Sequence, residues 1–154
     1  MSADDSGTRA LTDAERHLLA AVLDEIVPAR PDGRVPGAGQ LGLARDVDEA
    51  LRRTPALRAM VVTGLSELEE QARQQSPHGF TALSPEERLA LLQQQGFLLP
   101  LTLQAYVAYY RQPRVLEALG LEPRPPHPQG YAMAPDDLGA VEAVRRGPRR
   151  YRPV

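Results

Sequence analysis

The sequence predicts an all-α fold, a small irregular bundle of about five helices. The bundle is expected over residues 11–120, behind a flexible tail over 1–10 and ahead of an extended proline- and arginine-rich tail over 121–154. Three observations carry this. Apolar residues recur at three- and four-residue spacing through most of the chain from Leu11 to Tyr110, the period of a helix with one buried face. Two capping boxes, Thr12-Asp13-Ala14-Glu15 and Ser84-Pro85-Glu86-Glu87, mark helix starts where a hydroxyl and a carboxylate satisfy each other's backbone amides. Between the periodic segments stand clusters of proline and glycine, which stop helices and turn chains.

Composition bounds the function. A chain of 154 residues fits one domain, large enough to bury roughly two-thirds of its unfolded surface. A net charge of −2 provides no overall basic field to recruit nucleic acid. The absence of cysteine excludes disulfides, thiolate metal sites and a cysteine nucleophile, and leaves the redox compartment open. The opening MSADDSGTRALT has no apolar core and is neither a secretory nor a twin-arginine signal. The longest apolar run, Phe97 to Tyr110, is about 14 residues against the ~20 needed to cross a bilayer. No membrane insertion is expected, and cytoplasmic residence is the default, with export alongside a signal-bearing partner as the alternative.

The first helix runs from the Thr12 cap, with Leu18, Leu19, Val22, Leu23, Ile26 and Val27 at helical spacing, to its stop at Pro28. Asp24 and Glu25 fall in its last turn, where the dipole disfavours anions; a solvated helix end is expected there. Residues 28–40, PARPDGRVPGAGQ, read as a loop. PGAG lacks the spacing of a phosphate-binding loop. Leu43, Val47, Ala50 and Leu51 give a second helix over about 41–53, with Asp46, Asp48 and Glu49 expected on a solvated face. Thr54-Pro55 opens a third as cap and first helical position, and its stripe is Leu57, Val61, Leu65, Leu68 and Ala72, supplemented by Met60. Gly64 on that stripe permits close helix approach.

Residues 74–81 read as a turn, and Ser84 caps a fourth helix with Leu89, Ala90 and Leu92 facing inward. Gly96 breaks or bends the chain. A fifth helix starts near Leu99, which accommodates Pro100 in its first turn. From Leu101 to Tyr110 it is apolar almost all round, the sign of a central helix surrounded by others. A short helical turn, Arg114 to Leu119, ends at Gly120.

Tyr106 and Tyr110 lie one turn apart on one face, while Tyr109 projects about 100° away from Tyr110. Either one face is core and the other interface, or all three rings close the bundle with their hydroxyls at its rim. Beyond Gly120, LEPRPPHPQGYAMAPDD reads as extended or polyproline-like, with Leu121, Tyr131 and Met133 as spaced apolar anchors. The chain ends in RRGPRRYRPV. Its Arg145, Arg146, Arg149 and Arg150 suit an acidic protein surface, or phosphate with stacking on Tyr151. The partner-binding candidates are therefore Tyr106, Tyr109, Tyr110, Tyr131, Met133 and those four arginines.

No catalytic or metal-binding constellation emerges. His17, His78 and His127 fall in three unrelated settings, without HExxH or a Glu-x-x-His pair. There is no GxSxG and no GxGxxG. A helical bundle with an extended tail and an arginine cluster is a binding design.

Four motifs give the chain a resemblance: LTxAE at Leu11 to Glu15, EIVP at Glu25 to Pro28, FxxLSPxxR at Phe80 to Arg88, and LTLQAYxxYxxxP at Leu101 to Pro113. Together they resemble the gluconate 2-dehydrogenase subunit 3 family, over Leu11 to about Tyr131. The resemblance implies a non-catalytic small subunit that binds and stabilises or matures a GMC-type, FAD-dependent dehydrogenase of sugars, sugar acids or polyols. It implies that FAD resides in the large subunit and none in this chain, and that a cytochrome c subunit accepts electrons in some complexes. Two departures stand out: no twin-arginine signal precedes Leu11, and a proline-rich ending replaces the shorter glycine-rich one of the gluconate enzyme's subunit. The substrate name is not carried over. The alternatives are a stand-alone helical adaptor, or a small ligand-binding or nucleic-acid-binding protein.

Overall fold

A computed structural model describes residues 10–123, 142 and 145–147. The chain divides into two units, 1–123 and 124–154, and the helical architecture below is that of the first. Its elements are α1 (Asp13–Ile26), α2 (Ala44–Arg52), α3 (Pro55–Gln75), a 3-10 turn (Phe80–Ala82), α4 (Pro85–Leu92), α5 (Leu98–Tyr109) and α6 (Pro113–Ala118). The described residues are all-α, without a strand. The short turn expected after Gln112 is a sixth helix. It closes in a Schellman motif, with Gly120 N–H donating to Glu117 O and Leu121 N–H to Leu116 O, Gly120 adopting a φ of +74° that suits glycine.

The helix at the centre is α1, which packs against α2, α3, α5 and the 3-10 turn. Thr12 Oγ1 accepts from Glu15 N and Glu15 Oε2 accepts from Thr12 N at 2.7 Å, completing the box. Leu19, Val22 and Leu23 are wholly buried. The central position expected of α5 is therefore corrected. An all-round apolar surface fits a surrounded helix, but here only one side of α5 is covered.

The end of α1 also differs from expectation. Asp24 and Glu25 are not a solvated terminus. Asp24 Oδ1 accepts from Gly39 N at 2.8 Å and Gln40 N at 3.2 Å, so the carboxylate pins the glycine loop against the helix. A Cβ at Gly39 would fall on the Ala20 carbonyl and the Asp24 carboxylate, which explains the small residue. Arg88 Nε stands 2.8 Å from Glu25 Oε1 as an ion pair without hydrogen-bond alignment. The loop adds Val35 and Ala38 to the core. Helix α2 starts at Ala44, three residues later than expected, because residues 37–42 are folded into turns, Leu41 N–H to Gly37 O and Gly42 N–H to Gly39 O.

Asp48 was expected on a solvated face and is buried. Its Oδ1 lies 3.1 Å from both Nε and one terminal nitrogen of Arg58, and its Oδ2 lies 3.2 Å from Arg52. Burying a charge is costly unless it is paired and hydrogen-bonded, and Asp48 meets that condition through an arginine on the next helix. In α3, Pro55 holds the first position as expected, but the Thr54 hydroxyl makes no capping bond. The stripe of Val61, Leu65, Leu68 and Ala72 is buried, whereas Met60 is exposed. Gly64 accommodates an aromatic ring: an added Cβ would lie 2.7 Å from Phe97 Cε1.

Helix α4 keeps its capping box, with Ser84 N donating to Glu87 Oε2 at 2.8 Å. Bonds from the Ser84 backbone and side chain hold the Glu87 carboxyl below its ordinary value. The inward residues are Leu91 and Leu92; Leu89 and Ala90 face solvent. The covered stripe is Arg88, Leu91 and Leu92, at i, i+3 and i+4. An arginine in that stripe conceals it from an apolar pattern.

Candidate docking face

Helix α5 carries two apolar stripes. Leu101, Ala105 and Tyr109 are buried, spaced i, i+4, i+8 along one side. On the other side Leu99 is 71% exposed, Leu103 58%, Tyr106 45%, Val107 57% and Tyr110 53%. At about 100° per residue these five fall within roughly a 100° arc opposite the buried stripe. They form a line of aliphatic and aromatic side chains that nothing in the described residues covers.

The buried side fixes the orientation of this line. Tyr109 Oη donates to Pro36 O at 2.9 Å, tying α5 to the loop that Asp24 pins. Its ring meets Tyr110 edge-on, with centroids 5.3 Å apart and planes at 87°. Tyr110 in turn stands 6.2 Å from Tyr106. Burial, and secondarily the neighbouring Tyr110, pushes the Tyr109 phenol above its ordinary value. Of the three tyrosines grouped as partner-binding candidates, Tyr109 is the one buried in the core beneath the exposed face. Tyr106 and Tyr110 do share the exposed face.

Among the other sequence candidates, Arg145 and Arg146 are exposed and pair with Glu142 at 3.2 and 3.6 Å. Tyr131, Met133, Arg149 and Arg150 lie outside the described residues. Sequence reasoning missed Leu99, Leu103 and Val107 as members of the face, although the signal was present: α5 has more apolar positions than one buried stripe can use.

Beside the face, α2 and α5 bound an open groove of about 350 Å³ lined by Asp46, Glu49, Arg53, Gln104, Val107 and Arg111, among others. A second depression lies between α1 and α3. His17 and His78 both border it, together with Glu69 and Arg73, so the two histidines read as unrelated in sequence share one setting. Glu69 is already engaged there by Phe80 N at 3.1 Å and Arg73 at 3.2 Å. Among the described residues no group of three or more His, Asp or Glu side chains is placed to hold a metal ion. No described helix is long and apolar enough to cross a membrane.

The motifs that carry the resemblance have structural roles that fit together. Phe80 and Leu83 are buried, Ser84 caps α4, and Arg88 reaches Glu25 of the EIVP segment. No curated protein matches the chain, and no solved structure does. A family model described as Gluconate 2-dehydrogenase subunit 3 matches residues 13–96, which span α1 through α4 and more than half of the 154 residues. The chain belongs to the gluconate 2-dehydrogenase subunit 3 family.

Proposed function

We propose that this chain is a non-catalytic accessory subunit that clasps an FAD-dependent dehydrogenase of sugars, sugar acids or polyols and stabilises or matures it. The observation that carries the reading is the exposed line Leu99, Leu103, Tyr106, Val107 and Tyr110 on α5. Contiguous apolar surface of this kind marks interaction sites, and tyrosine is enriched where partners bury each other. Membership of a gluconate 2-dehydrogenase subunit family supports a dehydrogenase complex as the setting. FAD then belongs to the large subunit, and in some complexes a cytochrome c subunit takes the electrons onward. The contribution of this chain is a surface.

Co-expression with a flavoprotein dehydrogenase from the same genome tests the proposal. A yellow complex containing both chains is expected, with a higher yield of folded flavoprotein than without this chain. The variant Leu103→Asp/Val107→Asp is expected to lose the complex while keeping its helical circular dichroism. Unchanged flavoprotein yield and no co-purification would overturn the proposal. Recovery of only non-flavin partners would favour the adaptor.

A further inference from the structure

The groove beside the apolar line narrows what the partner presents, given the reading of this chain as an accessory subunit. Val107 belongs both to the exposed line and to the groove wall, so the two features form one continuous surface. The charges around it are unequally matched. Glu49 faces Arg53 at 3.9 Å. Asp46 has only a neutral amide, accepting from Gln112 Nε2 at 3.1 Å. Arg111, exposed at the C-terminal end of α5, has no ion pair or hydrogen bond among the described residues. One uncompensated anion and one uncompensated cation therefore line the groove on the same side of the apolar ridge.

The shape of the ridge constrains the element that covers it. Strand addition needs a free sheet edge, and the described residues contain no strand. A single helix exposing side chains at i, i+4, i+7, i+8 and i+11 is complementary to another helix packed ridge into groove. From Leu99 to Tyr110 the line is about 16 Å long at 1.5 Å per residue, the length of about three turns. We infer that the occupant is an amphipathic helix of the flavoprotein, about 11 residues or longer, whose apolar stripe lies along α5. Its flank over the groove sets a carboxylate against Arg111 and a cation against Asp46. Complementary rim charges of this sort act mainly on encounter rate and register, while the buried anchors carry affinity.

Photo-crosslinking in the full chain tests the inference. p-Benzoylphenylalanine replaces Tyr106 in one variant and Val107 in another, each co-expressed with the flavoprotein, and the crosslinked peptides are mapped. The expected peptide is a flavoprotein segment with apolar residues at i, i+3 or i+4, and i+7, and with both an acidic residue and an Arg or Lys along the one flank that faces the groove. Arg111→Glu is expected to weaken the purified complex roughly three- to tenfold, more at low salt than at high. Arginine in place of the captured carboxylate should restore it. Capture of a segment without that pattern, or a change below twofold on charge reversal, overturns the inference. So does crosslinking to a second copy of this chain, which would assign the face to self-association. If the complex forms without crosslinks from α5, the docking face is wrong while the accessory-subunit reading stands. If no complex forms, both fall.

Discussion

Replacing Asp48 by alanine separates two descriptions of the charged face of α2. If Asp48 were solvated, as its neighbours Asp46 and Glu49 suggest, the substitution would cost less than about 0.5 kcal/mol. In the structure its carboxylate is almost fully covered and bridges two arginines, with Arg58 only 1% exposed and Arg52 45% exposed. Removing one member of a buried pair costs about 3–5 kcal/mol, because the remaining charge loses its compensation inside the protein. Asp48→Ala belongs in that range, since Arg58 stays buried without its carboxylate. At about 4 °C per kcal/mol for a chain of this size, the melting temperature should fall by about 12–20 °C.

The reverse change is milder. Arg58→Met keeps most of the side-chain volume and leaves Asp48 with Arg52, which reaches solvent, so about 1–3 kcal/mol is expected. With both changes together the buried Asp48–Arg58 pair is absent altogether. The double variant should be close to Arg58→Met alone, which amounts to a coupling of roughly 3–5 kcal/mol between the two sites. Urea unfolding followed by circular dichroism, with unchanged m-values, measures all three. A cost below about 1 kcal/mol for Asp48→Ala, or a double variant equal to the sum of the singles, would refute the reasoning.

Two further sites give independent tests. Gly64→Ala gains about 1 kcal/mol of helix propensity but drives a Cβ into the Phe97 ring, where overpacking costs about 1–3 kcal/mol. A net loss of up to about 2 kcal/mol is expected in thermal melts, partly recovered by adding Phe97→Leu; a stabilised Gly64→Ala would contradict the packing. At Tyr109 the phenol is held above its ordinary value by burial and then by Tyr110, so the folded state binds the proton more tightly. The stabilisation is fully present below the unfolded value of about 10 and is lost as pH rises through the higher folded value. Tyr109→Phe should remove that alkaline loss and, by ultraviolet absorbance, one phenol that titrates above the ordinary range. It should cost about 0.5–1.5 kcal/mol at neutral pH for the bond to Pro36. In binding, Tyr109→Phe should weaken flavoprotein affinity less than Tyr109→Ala, because the ring that meets Tyr110 is kept while the bond to Pro36 is lost. Tyr109→Ala should weaken affinity, and equal losses in both variants would contradict a supporting role beneath the face.

The starts of α1, α3 and α4 were legible because their determinants are local. Thr12, Ser84 and the first-position prolines Pro55 and Pro85 act within one turn of themselves, and Pro28 stops α1 wherever the rest of the chain goes. What could not be read depends on partners distant in sequence. Asp48 finds Arg58 ten residues away on another helix, and Glu25 finds Arg88 across the bundle; neither spacing has a periodicity that announces it. The α4 stripe was misread for the same reason, since Arg88 occupies an inward position that a hydrophobicity pattern assigns to solvent. For α5 the pattern was complete and its interpretation was not. Apolar residues all round a helix state that both sides are to be covered, and they do not state whether the second cover comes from the same chain.

That distinction gives the family motifs a common purpose. Asp24, beside Glu25 in the segment that ends α1, holds the glycine loop through Gly39 and Gln40. The same loop presents the Pro36 carbonyl to Tyr109. From the other side, Gly64 leaves room for Phe97, the residue from which α5 departs. The rotation of α5 about its own axis is thus fixed from two directions by parts of the matched region, 13–96, although α5 itself lies beyond it. A helix with two apolar stripes would be indifferent to which one it buried if hydrophobic burial were the only term, because burial is non-directional. The hydrogen bond at Tyr109 and the ring against Gly64 are directional, and they break that degeneracy in favour of Leu101, Ala105 and Tyr109. Leu99, Leu103, Tyr106, Val107 and Tyr110 are left facing outward as the consequence. Under the proposed function these directional contacts beneath the face are what set which side of α5 is offered to the partner.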